Sequence, residues 1–219
     1  MIEVAIVAFE GISLFHLSVP IAVFRDAVNH EQKFFNVRIC SESSSRVTSA
    51  NGLSIEINDD ISVIKDADIV IVPSWLPDKV PSDFMKEQLI QAHSNNKLIV
   101  GLCTGAYAIA YSDLLNGKRA TTHWQYGRDF AKTFPLITCD INPLYITQGN
   151  VITSAGSAAA IDCCFHIVKQ YYGVKVANKI ARVMVLSPER SVGQNQFIEN
   201  PRIERSNNKR IAKLIDLVL

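Results

Sequence analysis

The sequence predicts an α/β domain built on a mostly parallel sheet with helices on both faces. Three observations predict it. Short apolar runs of strand length alternate along the chain with segments of helix length, as successive βαβ units require. The strand runs are apolar at consecutive positions, which is the pattern of strands buried on both faces. One such run, Leu98–Leu102, passes directly into a helix through Cys103, with Gly101 and Gly105 on either side.

Taken in order, Ile2–Phe9 reads as a buried strand ended by Gly11. Leu17–Val28 reads as a helix with Pro20 in its first turn, where a missing N–H is harmless. Phe34–Cys40 is a second strand. Arg46–Ile57 forms a hairpin around Asn51-Gly52, a strong turn signal. Asp68–Pro73 is a continuous apolar strand, and Ser82–Ser94 an amphipathic helix. Lys97–Leu102 is another buried strand, followed at once by a helix over Thr104–Tyr111. Trp124–Phe134 reads as a helix. Leu144–Thr153 holds two short strands turning at Gly149-Asn150, and Ala158–Tyr172 and Val174–Val185 read as helices. Ser187–Asn208 is polar. After it Ile211, Leu214, Ile215 and Val218 recur at helical spacing.

The bulk properties exclude several classes. A chain of 219 residues suits one α/β domain with a sizeable core. A formal net charge of +1 gives no bulk attraction to nucleic acid or other polyanions. The five cysteines, Cys40, Cys103, Cys139, Cys163 and Cys164, show neither a disulfide framework nor zinc-ligand spacing. A reducing, cytoplasmic location and no metal or cofactor are expected. The N-terminus lacks the basic and cleavage regions of a signal peptide, and no apolar run reaches the roughly 20 residues of a membrane span.

The chemistry concentrates at Gly101-Leu102-Cys103-Thr104-Gly105. A G-x-C-x-G segment between strand and helix is the pattern of a nucleophile elbow. The central residue takes a strained conformation, and the flanking positions must be small so that strand and helix can pass closely. The helix N-terminus offers N–H groups that favour a thiolate. His123, in Thr121-Thr122-His123-Trp124, lies twenty residues beyond Cys103 and is a candidate proton carrier.

The elbow, the Thr-Thr-His segment and Thr153-Ser154-Ala155-Gly156-Ser157-Ala158 together resemble the ThiJ/PfpI superfamily, of the class I glutamine amidotransferase-like fold, over about Ile2–Val185. The resemblance implies a flavodoxin-like three-layer sandwich and a homodimer. Leu114–Trp124, Ser154-Ala155-Gly156 with Ile161-Asp162, and the tail from Ala181-Arg182 through Pro188, Gly193-Gln194 and Gln196-Phe197-Ile198-Glu199 are more specifically similar to the N-terminal domain of AraC-type transcriptional regulators. That similarity implies a ThiJ/PfpI-like domain over 1–186. Residues 187–219 then form a polar linker and amphipathic helix leading toward a helix-turn-helix DNA-binding part absent from this chain.

Two departures from the superfamily pattern bear on mechanism. Where superfamily members carry a carboxylate near the elbow cysteine, this chain has His16, ahead of Pro20; the one acid nearby in sequence is Glu10, at the strand end. A protonated His16 would lower the thiol pKa, and a neutral one would act as base or acceptor. Where founding members carry two glycines that form an oxyanion hole, this chain has Pro73-Ser74-Trp75. Trp75 and Trp124 either wall the pocket or belong to the packing. Asp162 either complements the helix dipole or faces the pocket, while Cys163 and Cys164 read as core. Arg202, Arg205, Lys209, Arg210 and Lys213 make a basic tail, read as a solvated linker face, with direct DNA contact the lesser alternative.

The expected function is therefore a ligand-sensing and dimerising domain that holds a small-molecule effector around Cys103. Ser74, Trp75, Gly101, Thr104, Trp124, Ser154 and Gly156 line its site. DNA would be contacted only through the absent part, and no membrane is involved. The alternative is a cysteine-dependent hydrolase, hydratase or glyoxalase-like enzyme using Cys103, with His123 or His16 moving protons. Oxidation of an exposed, low-pKa thiol is a third possibility, compatible with sensing.

Overall fold

The computed structural model describes residues 1–26, 33–42, 45–186 and Gln196. The linker and C-terminal helix expected over 187–219 lie outside the described residues, Gln196 excepted.

Among the described residues, seven strands form the central sheet: β1 (Ile2–Ala8), β2 (Phe35–Ser41), β5 (Asp59–Asp60), β6 (Ile69–Val72), β7 (Leu98–Leu102), β10 (Tyr145–Gln148) and β11 (Val151–Ser154). Their order is β10-β11-β7-β6-β1-β2-β5, and every pair is parallel except β10–β11. Every residue of β6, β7 and β11 is buried, as expected for strands covered on both faces. A small antiparallel hairpin, β3 (Arg46–Thr48) with β4 (Ser54–Glu56), turns at Gly52 with φ +80°. A two-residue parallel pair, β8 (Arg119–Ala120) with β9 (Thr138–Cys139), is too short to be read from sequence.

The helices are α1 (Leu14–Ile21), α2 (Asp83–Ser94), α3 (Gly105–Tyr111), α4 (Gly127–Thr133) and α5 (Ala159–Val183). In α2 the Ser82 hydroxyl caps the Met85 N–H at 3.0 Å, and Met85, Leu89 and Ala92 turn the apolar stripe inward. α5 is broken by Gly173 at φ 77°, so the two expected helices are both present end to end. No helix among the described residues is long and apolar enough to cross a membrane.

Three local expectations need correction. The first helix starts at Leu14, which puts Pro20 in its interior. Proline has no N–H for the His16 carbonyl, and the chain answers by widening into a π-helical turn over Ala22–Asp26. The second strand is shifted by one residue, to Phe35–Ser41. Trp124–Tyr126 is a 3₁₀ turn capped by His123 before α4 begins.

Candidate functional site

Parallel strands deliver their C-terminal ends to one edge, and three of them converge here. β6 runs into Pro73-Ser74-Trp75, β7 into Cys103 and β11 into Ala155-Gly156-Ser157. The register, Val72 beside Gly101 and Gly101 beside Thr153, brings the three ends level. α1 contributes His16 from above, and the residues after β8 contribute Thr121, Thr122 and His123.

Cys103 has φ +54°, a left-handed conformation that costs a non-glycine residue about 1 kcal/mol or more. Close packing compels it. A Cβ on Gly101 would meet Ile109 Cδ1 at 2.8 Å and the Ala106 nitrogen at 2.9 Å. One on Gly105 would overlap the Val72 carbonyl. The spacing read from sequence therefore has a steric cause: strand and helix touch backbone to backbone. Gly156 closes the turn from the far side, since a Cβ there would overlap Cβ and Cα of Cys103. Cys103 N–H donates to the Ser154 carbonyl at 2.9 Å, and the Thr122 hydroxyl donates to the Cys103 carbonyl at 2.9 Å.

The sulfur lies in a buried, uncharged setting. Cys103 is 6% exposed, and burial pushes its thiol up. The Thr104 N–H and hydroxyl and the Ser157 N–H favour the thiolate without reversing that direction. The thiolate preference expected from the helix N-terminus is thus outweighed by desolvation, and α3 is only seven residues long. The Thr104 hydroxyl also accepts the Trp75 N–H at 3.2 Å, so that backbone donor is engaged.

His16 stands beside the same turn. Its Nε2 accepts the Ser157 N–H at 3.3 Å, which fixes the neutral tautomer with the proton on Nδ1. That Nδ1 has no hydrogen-bond partner among the described residues. Burial, and secondarily the neighbouring His123, lower the His16 pKa. His123 is lowered by burial as well; its Nδ1 accepts the Gln125 N–H at 3.4 Å, and its ring stacks on Trp124 with centroids 5.8 Å apart. Burial therefore pushes both imidazoles toward the neutral form. Glu10 does not replace the carboxylate, because it is exposed and accepts the Thr48 N–H at 2.8 Å on the hairpin.

The remaining site residues take definite places. Trp75 is 5% exposed, packs its indole on Phe9 at 4.7 Å and donates Nε1–H to the Lys79 carbonyl at 2.6 Å. It belongs to the core cluster. Ser74 is buried beside Gly105. Ser154 is fully buried: its hydroxyl lies 3.1 and 3.3 Å from the Leu144 and Ala159 carbonyls and accepts the Gly156 N–H at 3.3 Å. Asp162 sits in the first turn of α5, and Cys163 and Cys164 are core. Sequence reasoning gave no role to Ser157, at φ +48°, or to Thr122, although both stand in segments that carry the resemblance. Their roles are made by contacts with distant parts of the chain, which no local pattern encodes.

The fold and site define a class: a mostly parallel α/β domain with a cysteine held on a strained strand-to-helix turn at the sheet's C-terminal edge. Residues 2–170 match the DJ-1/PfpI family, and the chain belongs to it. Among curated relatives, the HTH-type transcriptional regulator CdhR of Pseudomonas aeruginosa is 23% identical over 206 residues, covering 94% of this chain and 61% of that protein. Isonitrile hydratase of Pseudomonas putida is 28% identical over 148 residues, covering 65% of this chain and 62% of that enzyme. In both cases the match spans about three fifths of the relative's length. The crystal structure of an AraC family transcriptional regulator from Pseudomonas putida superposes with a TM-score of 0.75 at 17% identity, covering 84% of this chain and all of that one, which shows a shared fold.

Proposed function

We propose that this chain is the ligand-sensing module of an AraC-type transcriptional regulator, with a small-molecule effector held over Cys103. The observation that carries this reading is the uncharged surrounding of the sulfur. Burial raises the thiol and lowers both imidazoles, and among the described residues no carboxylate acts on Cys103 where the superfamily places one. A nucleophile works as its thiolate, whereas a binding floor needs only shape and a few oriented donors. The His16 Nδ1–H is one such donor. In this reading 1–186 is the sensing domain, 187–219 leads to a DNA-binding part outside this chain, and a homodimer passes the signal on.

The enzyme reading keeps one specific observation in its favour. Cys103 is presented on a strained turn where the neighbouring Thr104 and Ser157 backbone favours the thiolate against burial, and one relative is an isonitrile hydratase. A thermal-shift panel of small amines, amides and isonitriles, run beside turnover assays, separates the two. A true effector at a hundredfold its Kd stabilises the fold by about 2.7 kcal/mol, and Cys103→Ser retains that shift. Turnover of any panel member that Cys103→Ser abolishes overturns the sensor reading.

A further inference from the structure

Gln196 is an unusual residue in its connections. It lies thirteen residues beyond the end of α5, yet it hydrogen-bonds both the loop that carries His123 and the Asn142-Pro143 segment. Its Oε1 accepts the Trp124 N–H at 3.0 Å. Its Nε2 lies 3.1 Å from the Thr122 carbonyl, 3.2 Å from the Thr121 hydroxyl and 3.4 Å from the Pro143 carbonyl. Its own N–H donates to the Asn142 carbonyl at 2.7 Å. An N–H on one side of the amide and carbonyls on the other settle which end is oxygen and which nitrogen. Two Nε2 protons meet three acceptors, so the side chain is saturated.

The surface that receives it is itself fixed. Asp140 is paired with Arg119, and its Oδ1 accepts the Asn142 N–H at 2.9 Å. Thr121 and Thr122 are fully buried, and the Thr121 N–H donates to the Thr153 hydroxyl at 2.9 Å. From Thr122 the network reaches the site in one step, because its hydroxyl donates to the carbonyl of Cys103. Trp124, held by the Gln196 oxygen, is the residue on which His123 stacks. A continuous chain of hydrogen bonds and one ring contact therefore runs from Gln196 to both Cys103 and His123, in a partly buried setting where such networks strengthen one another.

We propose that Gln196 is a latch coupling the Cys103 turn to the chain that follows α5. Any group seated over Cys103 that displaces Thr122 or His123 weakens the hold on Gln196, and loss of Gln196 loosens the His123 loop in return, since coupling is reciprocal. The latch does not depend on the regulator reading. Turnover at Cys103 would remove the sensor role and leave the coupling standing. If the chain is a sensor, Gln196 is the first residue to report an occupied site.

The test is amide hydrogen exchange, read residue by residue on the full chain. Gln196→Leu removes every side-chain bond, and the Trp124 amide is expected to exchange roughly three- to tenfold faster, as for the loss of one hydrogen bond. Gln196→Glu, of the same size but without N–H groups for the Thr122 and Pro143 carbonyls, gives the same direction. For the reverse arm, Cys103 is capped with iodoacetamide, verified at that residue by peptide mass. The Gln196 amide is then expected to exchange at least threefold faster, by the same scale. An unchanged Trp124 amide in both folded variants overturns the latch. A changed Trp124 amide with an unchanged Gln196 amide after capping reduces Gln196 to a structural tie and overturns the coupling.

Discussion

Two turns face each other at the edge of the sheet, and they are built by different means. The Cys103 turn, from β7 into α3, and the Ser157 turn, from β11 into α5, each carry a non-glycine residue at positive φ, +54° and +48°. The first is held by contact: Gly101, Gly105 and Gly156 are positions where any Cβ would strike a neighbour. The second is held by hydrogen bonds, with the Ser154 hydroxyl bridging Leu144, Ala159 and Gly156 and with His16 accepting the Ser157 N–H. Steric closure fixes where the sulfur is. Hydrogen bonding fixes which donors face it. Changes on the contact side therefore cost fold stability, and changes on the bonded side alter the site more than the fold.

The largest effect falls on the contact side. Gly156→Ala places a methyl on Cys103 and demands φ +74° of an alanine. Overpacking and backbone strain together are expected to cost about 3 kcal/mol or more, read as a lower denaturation midpoint at unchanged m-value. A loss near zero would mean that the two turns are not in contact as described.

On the bonded side, Ser154→Ala leaves the buried Gly156 N–H without its acceptor and is expected to cost about 1–2 kcal/mol. Its signature is a selective one: faster exchange at Gly156 and Ser157, with Gly101 and Gly105 little changed. Equal loosening of both turns would break the distinction drawn between them.

The smallest effect is in the pH dependence of stability. His16 is lowered in the fold, so below about pH 6.5 the unfolded chain takes up a proton that the folded chain resists. Stability is full above that pH and falls as pH drops from there toward the folded His16 pKa. His93, His123 and His166, also lowered by burial, act in the same direction. His16→Leu is expected to make the decline shallower between pH 6.5 and 5, measured by denaturant midpoints. A slope identical to wild type would show that His16 is not held neutral.

The same division governs what could be read from the sequence. The order of strands and helices was legible because consecutive burial writes itself into consecutive apolar residues, as in β6 and β7. The Cys103 turn was legible because its steric demands fall on Gly101 and Gly105, two residues away. Gly156 stood out only through the family resemblance, because its partner lies far along the chain. The Ser157–His16 bond, the Thr122 tie to Cys103 and the Gln196 contacts are pairings at long separation with no periodic trace. Trp75 shows the limit from the other side. Its sequence position points more to a pocket wall than to packing, and the contact with Phe9 and the bond to Lys79 put its ring in the core cluster.

The central claim is that Cys103 is a positioned but unactivated thiol, the floor of a binding site. The rate of its alkylation by iodoacetamide as a function of pH, followed at that residue by peptide mass, tests this most directly. Burial without a charged partner predicts an apparent pKa above the free-cysteine value of about 8.5. An apparent pKa below about 7 would show a stabilised thiolate, contradict the binding-floor account and return the site to catalysis.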